Sequence, residues 1–179
     1  TETFQLTAYI MISLAYEIVK DLSKRYHASE REQNIKSYFK QFAAHEARFN
    51  LDILDIINRS LANGTTEQLA KTCSCLRCEL SELFTVSGVL PSDVFDGDHW
   101  FIHDAPSFSD SDEGDPISFQ TKLKAQSPLY LYYFIYRKID VLRSLGSADL
   151  NPTELINLKV RAENIQVGLC QFLKTDSPM

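Results

Sequence analysis

With 179 residues, 44% of them hydrophobic and 23% charged, the chain has the make-up of one folded domain, which excludes wholesale disorder, a collagen-like repeat and a disulfide-stapled miniprotein. A net charge of −6 excludes nucleic acid as an expected partner, because phosphate binding needs a surplus of Lys and Arg. No run of about 18 apolar residues occurs, so no membrane span is expected, and Thr1-Glu2-Thr3 lacks the basic opening of a signal peptide.

Helical signals begin at once. Over residues 4–26, Phe4, Ala8, Met11, Ala15, Ile18, Leu22 and Tyr26 recur at spacings of three and four and form one apolar stripe, with Glu17 pointing away from it. Ser29 stands three residues before Glu32, a capping-box pair that opens a second, long helix reaching about residue 62. Its predicted inward stripe is Ile35, Tyr38, Phe42, His45, Phe49, Ile53 and Ile56, and Asn63-Gly64 supplies the left-handed residue common just past a helix end. Thr65 and Gln68 repeat the capping box, so a third, shorter helix is expected over about residues 66–84, carrying Cys73, Cys75 and Cys78.

Composition changes between Pro91 and Pro116, where eight acids stand with no Lys or Arg and account for more than the whole net charge. Residues 107–115 read as a solvated acidic loop, whereas Val94, Phe95, Trp100, Phe101 and Ile102 supply enough apolar bulk to pack down. Ser127-Pro128 then opens a helix with a good N-cap and a proline at its first position. Its buried face is Leu131, Phe134, Ile135, Ile139, Leu142 and Leu145, and Gly146 ends it. Asn151-Pro152-Thr153-Glu154 opens the last helix, which turns Leu155, Leu158, Ala162, Ile165, Leu169, Phe172 and Leu173 inward.

These elements make a single all-α domain over residues 1–179: hairpins 4–62 and 128–174, joined by a crossover, 63–127, that holds a short extra helix and the acidic loop. Two hairpins with one long connection describe a four-helix bundle of ferritin-like topology. The few, clustered Gly and Pro residues argue against a sandwich or barrel of short strands. Three crowded cysteines with Cys170 far away are a poor disulfide framework, so a reducing, cytoplasmic setting is expected.

The stretch Phe39-Lys40-Gln41-Phe42-Ala43-Ala44-His45-Glu46-Ala47-Arg48-Phe49 resembles the second helix of rubrerythrin-type ferritin-like proteins, where a Glu and a His three residues later face the bundle centre and bind iron. In that register the His position falls on His45 and the Glu position on Phe42. Arg161-Ala162-Glu163-Asn164-Ile165-Gln166 resembles the second copy, with Glu163 at the Glu position and Gln166 at the His position. The resemblance implies a di-iron oxidoreductase ancestry, but such a centre needs about four carboxylates and commonly two His, drawn from all four helices. Here Phe42 replaces one ligand with a hydrocarbon, Glu17 lies on the outer side, and no Asp or Glu occurs between Ile117 and Ile139.

His45, Glu163 and Gln166 remain as a reduced set that would hold iron or another divalent metal at a single-ion site. The competing account makes His45 a half-buried histidine bonded to a neighbouring helix and Glu163 the partner of Lys138, Lys159 or His45. Among the cysteines, Cys75 and Cys78 would share one helix side with Cys73 turned away, the pattern of small hydrophobes rather than of a zinc or iron–sulfur site. His99 and His103, flanked by Asp98 and Asp104, offer ligands that need not converge in a loop. Tyr130, Tyr132, Tyr133, Phe134 and Tyr136 cover more than one helix side, so they point either to a homodimer interface or to a cover formed by the crossover with Trp100 and Phe101.

The expected function is therefore a bundle lacking a full di-iron centre, with a non-redox binding or structural role. A metal-dependent oxidoreductase with an atypical site is the first alternative. The second is an interaction module whose loop 107–115, open to modification at Ser109 and Ser111, recruits a basic protein partner.

Overall fold

A computed structural model describes residues 28–65, 68–96, 116–145 and 151–175. The helix expected over 4–26, the His99 to His103 stretch and the acidic segment 107–115 lie outside the described residues. Everything described is helix or connecting turn: α1 (Ala28–Ala62), α2 (Leu69–Cys73), α3 (Glu79–Ser87), α4 (Pro91–Val94), α5 (Pro116–Lys124), α6 (Pro128–Leu145) and α7 (Pro152–Thr175).

The helix ends follow the local chemistry of the sequence. After α1, the Thr65 amide donates to the Ser60 carbonyl at 3.0 Å around Gly64, whose φ of 69° only glycine adopts at no steric cost. Before α6, the Tyr130 amide donates to Ser127 Oγ at 3.3 Å. Before α7 the capping box is complete: Asn151 Oδ1 accepts from the Glu154 amide at 3.0 Å, and Glu154 Oε2 accepts from the Asn151 amide at 2.7 Å.

The expected single helix over 66–84 is instead two helices broken at residues 74–78. Thr72 Oγ1, Ser74 Oγ and Cys75 Sγ donate to the carbonyls of Gln68, Lys71 and Lys71 respectively, in competition with the helical ladder. The two helices that follow in the crossover carry their own anchors. Val94 and Phe95 pack down at the end of α4 as expected, and Phe119 and Leu123 bury one face of α5.

The inward face of α1 is a second correction. Its fully buried residues are Phe39, Ala43, Glu46, Ala47, Asn50, Leu54 and Ile57, while His45 and Ile56 are exposed. The face is thus turned by one residue, about 100° around the axis. Apolar residues cover so much of α1 that Phe42, Ile53 and Leu61 still pack at the edge of the core. The small side chains of Ala43 and Ala47 decide which line the neighbouring helices approach.

α6 packs along α7, and both α1 and α5 lie against α7. An aromatic chain ties these helices to the crossover. Phe39 of α1 stacks on Phe84 of α3 at 4.5 Å between ring centroids, Phe84 meets Tyr132 of α6 edge-on at 5.3 Å, and Phe95 contacts both Tyr132 and Phe172 of α7. Gly168 lets α7 sit close to α6, since a Cβ there would stand 3.2 Å from Ile135 Cγ1. Tyr130, Tyr132, Phe134 and Tyr136 are all buried in the chain's own core, and Tyr133 alone of that run is exposed, at 42%. Phe84 and Phe95 cover Tyr132, and Phe119 packs on Phe134, so the expected outward aromatic surface, and the homodimer built on it, lose their basis. Among the described residues no helix is long and apolar enough to cross a membrane.

Candidate functional site

Glu46, Asn50 and Asn164 are the buried polar residues among those described. Glu46 and Asn50 stand one turn apart on α1 and both face the break between α2 and α3. That break exposes main-chain groups the ladder no longer satisfies, and these two side chains supply their partners. Asn50 treats Arg77 as a strand neighbour would: its Nδ2 donates to the Arg77 carbonyl at 3.0 Å, and its Oδ1 accepts from the Arg77 amide at 2.8 Å. Glu46 caps α3, accepting from the Leu80 amide at 3.2 Å on Oε2 and 3.4 Å on Oε1.

A third element locks the arrangement. Tyr136 of α6 donates its hydroxyl to Glu46 Oε1 at 2.5 Å, joining residues 90 apart in the chain. Cys78 Sγ stands 3.7 Å from Asp140 Oδ1, one turn further along α6. The Arg77 guanidinium lies 3.7 Å from the centre of the Phe49 ring, and its Nε is 3.9 Å from Glu79 Oε1. One short turn is therefore held by α1 from one side and α6 from the other.

Burial sets the protonation of the cluster. It pushes the Glu46 carboxyl well above the ordinary carboxylate range, and the neighbouring Glu79 adds to the shift. Tyr136 is held neutral by burial and by the Glu46 charge. Burial also raises the Cys78 thiol to about 12 and the Cys73 thiol to about 11, so neither is a nucleophile at neutral pH. The cluster can store a proton and fix a turn, and both Glu46 oxygens are engaged by the protein's own donors.

The residues singled out from the sequence lie elsewhere. His45 sits beside Glu46 but on the exposed side of α1. Gln166 accepts from Asn58 Nδ2 at 2.9 Å, which places it between three and four turns from His45, about 20 Å along α1. Glu163 is half-exposed and pairs with Lys159 at 3.9 Å, one of the partners expected for it. His45 is thus not brought to Glu163 and Gln166. Among the described residues no group of three or more His, Cys, Asp and Glu is gathered as a metal ion would require.

The cysteines also depart from expectation. Cys73 and Cys78 are the buried pair and Cys75 is exposed, because helical spacing does not run through the break at 74–78; all four cysteines are free thiols. A groove of about 480 Å³ between Arg31, Ile35 and Lys36 of α1 and Val89, Asp93 and Val94 contains none of the clustered polar residues. In this groove concavity and perturbed acid, which coincide in most active sites, are apart.

No family model, curated protein or solved structure matches this chain. The function is consequently read from the cluster itself.

What sequence reasoning missed is Glu46 and Asn50, and that Cys78 and Tyr136 gather with them around one turn. A signal for the first two exists: an acid and an amide at i and i+4, each followed or preceded by alanine or a large apolar residue, in a helix whose apolar residues leave no single polar face.

Proposed function

We propose that this chain is a non-redox helical bundle with a structural or binding role, whose interior polar groups hold helices together rather than an ion. The ferritin-like layout, with residues 4–26 as the fourth rod beside α1, α6 and α7, belongs to this proposal. The observation that carries it is Glu46. The buried acid next to the family's His position is spent on a main-chain amide and a phenol of the same chain. His45, Glu163 and Gln166, the residues left from the iron-binding pattern, stand apart with other partners or in solvent.

Metal analysis of protein purified from iron-supplemented medium tests this reading. The expected content is far below one ion per chain. About two irons per chain, the complement of a di-iron site, would overturn it in favour of an oxidoreductase.

A further inference from the structure

Two acids meet at the start of α3. Glu46 is 3% exposed, and the neighbouring Glu79 has a buried Oε2 that no donor reaches. Ionised carboxylates only accept hydrogen bonds, and two of them side by side in an apolar setting repel. A proton on Glu46 resolves both problems: its hydroxyl becomes the donor for the orphan oxygen, and the repulsion between the two acids beside Arg77 is relieved.

The other groups bearing on Glu46 cannot do this. Tyr136 and Tyr132 of α6 and the Cys78 thiol in the turn are neutral at neutral pH, with burial raising both Tyr132 and Cys78 to about 12. Asp140 and Arg143 of α6 stand behind Cys78 as a charge pair of opposite sign.

From this geometry we infer that Glu46 carries a proton that it donates to the orphan Glu79 oxygen, forming a pH-sensitive latch that fixes the start of α3 on α1 when protonated and frees it when the proton leaves. The sign follows from the direction of the Glu46 shift. A carboxyl raised in the folded state binds a proton that the unfolded chain gives up, so its stabilisation is complete below the ordinary value of 4.5 and is lost as pH climbs through the raised value. The latch rests on the cluster alone, and a metal found elsewhere in the chain would leave it untouched.

Amide hydrogen exchange of Leu80 and the rest of α3, corrected for the intrinsic pH dependence of exchange, reads the latch directly. In the wild-type chain protection falls about tenfold per pH unit above the midpoint, the slope of one released proton. In Glu46→Gln, where an amide supplies the donor to Glu79 and still accepts from Tyr136 and Leu80, protection is flat with pH. Equal pH dependence in both chains, or a slope of two protons, overturns the inference. If Glu46→Gln does not fold, the carboxyl-carbon NMR titration of the wild type decides: a Glu46 midpoint well above 4.5 supports the latch, and one in the ordinary range refutes it.

Discussion

Phe39→Ala is expected to destabilise the chain by about 3–5 kcal/mol, the usual cost of emptying a buried aromatic site. Phe39 is fully buried, and its ring is the surface on which Phe84 stacks. Removing it takes away the apolar transfer energy of a whole ring. It also leaves a cavity between α1 and α3, because Phe84 is held from its other side by Tyr132 and Phe95 and cannot follow. For a chain of this length the loss corresponds to a melting temperature lower by about 6–20 °C. Phe39→Leu, which keeps part of the volume, should recover part of the loss. A change within about 0.5 kcal/mol for the alanine variant, measured by urea denaturation, would mean that α3 does not pack on α1 as described.

Asn50→Leu is expected to cost about 2–5 kcal/mol, even though leucine is similar in size and more apolar. The reason is the main chain of Arg77. Its amide and its carbonyl both use the Asn50 side chain, and a hydrocarbon leaves both without a partner in a partly buried turn. Relief would require residues 74–78 to open to water, so the loss should be accompanied by faster exchange of the Arg77 amide. A stable variant with an unchanged Arg77 exchange rate would show that the turn is held by other contacts.

These two residues also show what the sequence discloses and what it conceals. The ends of α1, α6 and α7 were legible because caps are local: Asn151 and Glu154 satisfy each other's amides within one turn, and Gly64 answers a backbone need at its own position. The inward face of α1 was not legible. Following bulky side chains at spacings of three and four selects Phe42, His45 and Phe49, whereas the neighbouring helices close down on Ala43 and Ala47 and bring Glu46 and Asn50 inside.

The break at 74–78 was hidden for a related reason. Thr72, Ser74 and Cys75 weaken the helix locally, but the partners that reward the open turn lie far away in sequence, at Asn50 and, through Glu46, at Tyr136. A buried acid on a helix reads as surface until the group that satisfies it is known. The iron-binding resemblance drew the eye to His45, one residue from the side chain that the core uses.

On the proposed reading the turn draws its strength from a contact between α1 and α6, made by Glu46, the buried acid among the described residues. A double-mutant cycle over Glu46→Leu and Tyr136→Phe, followed by urea denaturation, measures that contact most directly. The account predicts a coupling energy of about 1–3 kcal/mol, the double variant losing clearly less than its two parents together. Strictly additive losses would contradict it, because they would mean that the Glu46 carboxyl and the Tyr136 hydroxyl do not depend on each other.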